Sequence, residues 1–224
     1  GSPMLCIGWS GTHPHNRSVL DLAAHPANEY VERIWELAIP LPRRARQAWL
    51  LPTVGTAAQM RSLLTVFGPL GEALAAISRD GGVDVLVDLG RLGAAGAAVQ
   101  LWAHADSVLV FTDSTLSALN TLAVGLPAVA DELDQIGARS RLAVVPVVGD
   151  EKGASHRPYG PREISGVTDG VAVLPGVVRD AKAAGSRTWG KRARYPLSVR
   201  RLISAVDDHA RAATDMLRVD GVGA

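Results

Sequence analysis

"VDVLVDLG", Val83 to Gly90, is a β-branched apolar run that stops at an aspartate and a glycine. Three further runs share its character: "DSVLVFT" (Asp106–Thr112), "RLAVVPVVGD" (Arg141–Asp150, with Pro146 inside it) and "GVAVLPGVV" (Gly170–Val178). Continuous apolar runs predict strands buried on both faces, as in a parallel sheet, whereas half-solvated strands alternate. "AWLLPTVG" (Ala48–Gly55) and "MLCIG" near the start read as two more strands.

Helical patterns lie between the strands. "MRSLLTVFGPLGEALAAISRD" (Met60–Asp80) has apolar residues at helical spacing, with an interruption expected at Gly68-Pro69. "TLSALNTLAVGLPAVADELDQIG" (Thr115–Gly137) opens on a Ser/Thr cap signal and is expected to break near Gly125 and Pro127. "YPLSVRRLISAVDDHARAATDML" (Tyr195–Leu217) is an amphipathic helix. Strands alternating with helices predict an α/β fold: a doubly wound, mostly parallel sheet, helices on both faces, right-handed crossovers. "DEKGASHRPY" (Asp150–Tyr159) and the basic "AGSRTWGKRARYP" (Ala184–Pro196) read as loops, the second as the more mobile.

The chain has 224 residues, which suits one domain over residues 4–217, with an expression scar at 1–3 and a flexible tail at 218–224. Its 23 Lys and Arg balance 22 Asp and Glu, so no global field points to nucleic acid or membrane. Only Lys152, Lys182 and Lys191 are lysines; with abundant Ala, Val and Gly, this suggests a GC-rich bacterial genome. The single cysteine, Cys6, excludes an internal disulfide framework and predicts a cytoplasmic address. "MLCIGWSG" is too short for a signal peptide, and Leu92–Ala105 is too diluted by Gly, Ala, Gln100 and His104 to span a bilayer.

Open α/β sheets bind ligands at the carboxyl ends of their strands. That rule selects Asp88, Asp113, Asp150 and the Pro175–Asp180 turn. A strand-end aspartate such as Asp88 can hold a magnesium shell, or it can cap the next turn. "SGTHPHNRSVL" (Ser10–Leu20) has the outline of a phosphate loop, but Gly11 is followed by Asn16, Arg17 and Ser18 where G-x-x-x-x-G-K-[ST] demands Gly, Lys and Ser or Thr.

The order of "VDVLVDLGRL", "WAHADSVLVFTDSTLSAL", "RLAVVPVVGD", "YGPREISG", "GVAVLPGVVRDAKAAG" and "YPLSVRRLISAV" resembles the second half of MinD/ParA-type P-loop ATPases. The nearest flavour is the actinobacterial MinD-like, CpaE/TadZ-like group. The resemblance spans roughly Leu50 to His209 and is one of order, with no single diagnostic motif. It implies an ATP-dependent dimer that positions machinery or DNA. Asp88 matches the family's strand-end magnesium aspartate, and Pro175 to Asp180 the segment near the adenine. The N-terminus departs from the family pattern: no signature lysine precedes the loop, and Trp9 and Ser10 stand in that region.

Two readings of "GTHPHNRS" follow. In one it is a worn phosphate loop: Asn16 tolerates φ > 0, Ser18 keeps a hydroxyl for magnesium, and Arg17 keeps the charge without the shape of an ammonium. The residual nucleotide set is then Gly11, Asn16, Arg17, Ser18, Asp88, Pro175 and Asp180. In the other the loop is absent, and Arg17–Pro42 corresponds to a later helical stretch of the family. Either way the charge that γ-phosphate chemistry needs is missing or misplaced. The resemblance therefore implies a degenerate homodimer without catalysis or cofactor, serving a bacterial machine for secretion, pilus assembly, conjugation or partitioning through a protein partner. Its candidate surfaces are Tyr195–Leu217 and Met60–Asp80. One alternative is a weak ATP/Mg switch. Another is a non-specific DNA binder using Lys191, Arg192, Arg194, Arg200 and Arg201 beside Trp189 and Tyr195. His13, His15 and His25 are more often solvated than metal-binding at such spacing, and Asp207, Asp208 and His209 read as a polar helix face. No G-x-S-x-G supports a hydrolase triad.

Overall fold

The computed structural model describes residues 3–8, 18–41, 47–53, 65–91, 99–149, 158–180 and 194–220. The chain falls into two compact units, Gly1–Ala105 and Asp106–Ala224.

The first unit is built on a four-stranded sheet in the order β2-β3-β1-β4. Its strands are β1 (Met4–Gly8), β2 (Ile39–Pro40), β3 (Ala48–Pro52) and β4 (Asp84–Val87). β1 runs parallel to both β3 and β4, while the short β2 pairs antiparallel with β3. Leu5 and Ile7 of β1 enter the core, as the two-residue period of a strand requires. Helix α1 (Tyr30–Leu37) adds Tyr30 and Ile34, and α2 (Phe67–Gly81) adds Phe67, Leu70, Ala73, Leu74 and Ile77. Trp35 meets Trp49 edge to face, with ring centroids 5.1 Å apart. Burial pushes the Tyr30 phenol above its ordinary pKa, because the charged form would lose its hydration.

Two expectations change here. Of the pattern expected over Met60–Asp80, residues 60–64 lie outside the described residues, and α2 starts at Phe67, so Gly68-Pro69 falls in its first turn, where no backbone donor is required, and not inside a longer helix. α2 ends at Gly82, whose φ of 58° supplies the left-handed cap. β4 is not buried on both faces: Val85 packs against the core while Leu86 and Val87 are exposed, and among the described residues β4 stands at one edge of its sheet. A short helix α3 (Val99–Trp102) packs against α2, and Gly71 is the contact point.

The second unit holds β5 (Val108–Asp113), β6 (Leu142–Val148), β7 (Ala172–Val173) and β8 (Val177–Val178), all parallel, with β6 central. Leu142 to Val145 are buried, which is the both-faces burial that the apolar run predicts. Helix α4 (Leu116–Gln135) packs along β5, α5 (Pro161–Ser165) is one short turn, and α6 (Arg194–Asp220) packs on β8. The expected break at Gly125 and Pro127 does not occur. Leu119, Leu122 and Leu126 before the proline, and Val129, Ala130 and Leu133 after it, anchor one continuous buried face, while Pro127 itself points outward. Packing outweighs the lost backbone donor.

"GVAVLPGVV" is not one strand. Val144 and Val148 of β6 accept hydrogen bonds from the Leu174 and Arg179 amides, so Pro146, between them on the same edge, faces the same neighbour without an N–H to offer. The neighbour divides at that place into β7 and β8. From Val144 to Val147 β6 advances three residues, while its partners Val173 to Val177 advance four. The extra residue is a β-bulge. It allows Leu174 and Val177, an odd number of positions apart, to pack on the same cluster of Ala143, Val145 and Leu202.

Candidate functional site

In the first unit, β1 and β4 end side by side. The Asp88 amide donates to the Ile7 carbonyl at 2.9 Å, so the strand-end aspartate stands beside the end of β1. Its Oδ1 accepts from the Gly90 amide at 2.8 Å, an Asx turn that Gly90 completes with a φ of 77°. The carboxylate is exposed and caps its own turn.

Gly11, Asn16, Arg17, His13 and His15 lie outside the described residues. Ser18 is described. It is the N-cap of a six-residue 3₁₀ turn, Val19–Ala24. Its Oγ accepts from the Leu20 amide at 3.1 Å, and its own amide donates to the Asp21 carboxylate at 2.8 Å. This capping box anchors Val19 and Leu22 in the core. The head of the turn after β1 thus has amides engaged by its own side chains, with an acid among them. One alternative reads Arg17–Pro42 as a helical segment. Its described residues, 18–41, form a pair of 3₁₀ turns followed by α1 and β2.

In the second unit the strand ends are tied together by polar contacts. Ser114 directs both its amide and its hydroxyl to the Val147 carbonyl, each at 3.2 Å, and its own carbonyl accepts from the Tyr159 amide at 3.1 Å. The Arg179 amide reaches the Val148 carbonyl at 2.7 Å, and its guanidinium pairs with the Asp113 carboxylate. The Ser198 hydroxyl accepts from the Val178 amide at 3.1 Å and donates to the Tyr195 carbonyl at 2.7 Å, which fixes the start of α6 to the end of β8. Pro175 lies in the bulge and is exposed; Asp180 follows Arg179. Asp150 lies outside the described residues.

The sequence picks out Asp88 and Asp113 as acids at strand ends, and both stand there; it also selects the turn that holds Arg179, but it misses that residue's pairing with Asp113, and it misses Ser114 and Ser198. Arg179 and Asp113 are 66 residues apart, so no local pattern couples them. Of the basic set, Lys191 and Arg192 lie outside the described residues; Arg194 opens α6, and Arg200 and Arg201 are exposed on it. His25 approaches Glu29 at 3.6 Å. Among the described residues, no group of three His, Cys, Asp or Glu side chains could hold a metal ion, and no helix is long and apolar enough to cross a membrane.

The mostly parallel sheets and the helices packed on them define an α/β fold. Solved structures of MinD- and ParA-type ATPases share this fold. A ParA-family ATPase from Chlorobium tepidum TLS matches with a TM-score of 0.58 at 15% identity, covering 93% of this chain and 84% of that one. The cell-division ATPase MinD of Pyrococcus furiosus matches at 0.58 and 14% identity, covering 91% and 85%. Apo McdA from Cyanthece matches at 0.63 and 13% identity, covering 93% and 88%. At these identities the likeness is one of fold. No protein-family model and no curated protein matches the sequence.

Proposed function

We propose that this chain is a MinD/ParA-fold protein that has given up the fuel step and acts as a dimeric interaction module, positioning or assembling a larger bacterial machine through a protein partner. The observation that carries this reading is the stretch after β1. A phosphate-binding unit needs unsatisfied backbone amides and a lysine ammonium at the head of a helix. Here the sequence offers Arg17, and the following turn uses its first amides on Ser18 and on the carboxylate of Asp21. That carboxylate would stand where a phosphate needs positive charge. The residues therefore suit a triphosphate poorly, and no hydrolytic step is derived through one.

A second reading, a weak ATP/Mg switch, draws on one observation: Asp88 is bonded to the end of β1, where a magnesium aspartate would stand. Calorimetry with Mg²⁺-ATP and Mg²⁺-ADP tests the choice. No heat of binding is expected at nucleotide concentrations up to about 1 mM. Binding that disappears in Asp88→Ala would refute the proposal and establish the switch.

A further inference from the structure

Along its outer face α6 presents one exposed stripe: Leu197, Arg200, Arg201, Ser204, Asp207, Asp208 and Arg211. Ser198, Leu202 and Ala213 turn the other way and are buried. The positively charged pair and the negatively charged pair are separated along the axis. Side chains three or four residues apart on a helix are the ones that can neutralise each other. For Arg200 and Arg201 those positions hold Pro196, Leu197, Ser198, Ile203, Ser204 and Ala205, none of them acidic. The aspartates stand seven residues on, two turns away. Arg211 answers Asp208 at 3.1 Å on the far side.

The pattern is symmetric about Ser204. Four residues before it stands Arg200 and four after it Asp208; three before it stands Arg201 and three after it Asp207. We propose that α6 is a self-association surface on which two copies of this chain pack antiparallel through a two-fold axis at Ser204. In that register Arg200 of each copy faces Asp208 of the other, and Arg201 faces Asp207. The small Ser204 side chains meet at the crossing and let the helices approach. The Leu197 side chain covers the aliphatic stem of the other copy's Arg211. A parallel arrangement would set like charges against like, so the charge order selects one orientation as well as the partner. A two-fold contact needs a self-complementary patch, and this stripe is one.

The surface deepens the reading of the chain as a dimeric interaction module and rests on it, yet it is independent of whether nucleotide binds. The pairs are exposed, so association is expected to be modest and to weaken as salt rises.

Two variants test it, Arg200→Glu/Arg201→Glu and Asp207→Lys/Asp208→Lys. Glu and Lys are helix formers, and circular dichroism confirms that α6 persists. By sedimentation equilibrium at low salt, the unmodified chain is expected to dimerise, and each variant alone to dimerise at least about tenfold more weakly. Mixed in equal amounts, one variant carries four acids beside Arg211 on the stripe and the other five bases including Arg211, so a heterodimer is expected at least as tight as the parent homodimer. A monomeric parent at low salt overturns the proposal. So does a parent dimer that neither variant weakens, or a mixture that fails to associate. Retention of the monomeric parent on DNA through Arg200 and Arg201 would assign the face to nucleic acid instead. A positive nucleotide titration would overturn the pseudo-ATPase reading and leave this surface untouched.

Discussion

Gly176→Ala places a methyl group where the bulge crosses Pro146. A Cβ at that position would stand 3.0 Å from the Pro146 carbonyl oxygen, 3.4 Å from the Pro146 ring and 3.4 Å from a Val148 methyl. The contact with the carbonyl oxygen is tighter than a side-chain carbon ordinarily makes, so the link must retreat by a few tenths of an ångström. Pro146 cannot give way, because it sits in the central strand with its backbone held between two ladders. Forcing a methylene into such a place costs about 1–3 kcal/mol. Replacing glycine also removes freedom from the unfolded chain, which returns about 0.4–1 kcal/mol. The difference is a net loss of about 0.5–2 kcal/mol. Urea denaturation followed by far-UV circular dichroism should show a lower midpoint with an unchanged slope. A variant as stable as the parent, or more stable, would refute the close crossing and with it the account of why the neighbouring strand divides there.

Gly71→Ala should also destabilise the first unit, because a Cβ there would meet the His104 ring at 2.5 Å and the Gln100 carbonyl at 3.2 Å. The expected loss of about 1 kcal/mol, measured by urea denaturation, should shrink in Gly71→Ala/His104→Ala, where the helix-propensity gain of alanine remains. Tyr30 gives a pH dependence. Its phenol is held above the ordinary value near 10 by burial, so the unfolded chain releases that proton first. Stability from this group is complete below about pH 10 and declines as pH rises beyond it; the alkaline fall in Tm should be shallower in Tyr30→Phe.

Much of the fold is legible in the letters because parallel strands are continuous apolar runs. Val83–Gly90, Arg141–Asp150 and Ala48–Gly55 each contain a strand, and Asp106–Thr112 covers all but the last residue, Asp113, of another. The errors share a cause. Pro69 and Pro127 read as breakers, but their effect depends on where the helix starts and which face is buried, and those are settled by partners distant in sequence. Gly170–Val178 reads as one strand because the missing donor that divides its pairing belongs to Pro146, on a different strand. At the candidate site, Asp88 is legible as a strand-end acid. The Asp113–Arg179 pair and the Ser198 bridge are not, because they join segments that only the sheet brings together. The departure of "GTHPHNRS" from a phosphate loop is legible directly, as a matter of residue chemistry.

The bulge beside Pro146 sets a rule for how this segment can change length. Successive residues of a strand face opposite ways, so adding or removing one residue between Val173 and Val177 would turn over everything after it. Val177 would leave the Leu202 cluster, and Arg179 would lose its orientation toward Asp113. Two residues added together would restore the facing. Homologous chains that keep these contacts should therefore differ in length here by even numbers, a parity that can be read from sequences alone.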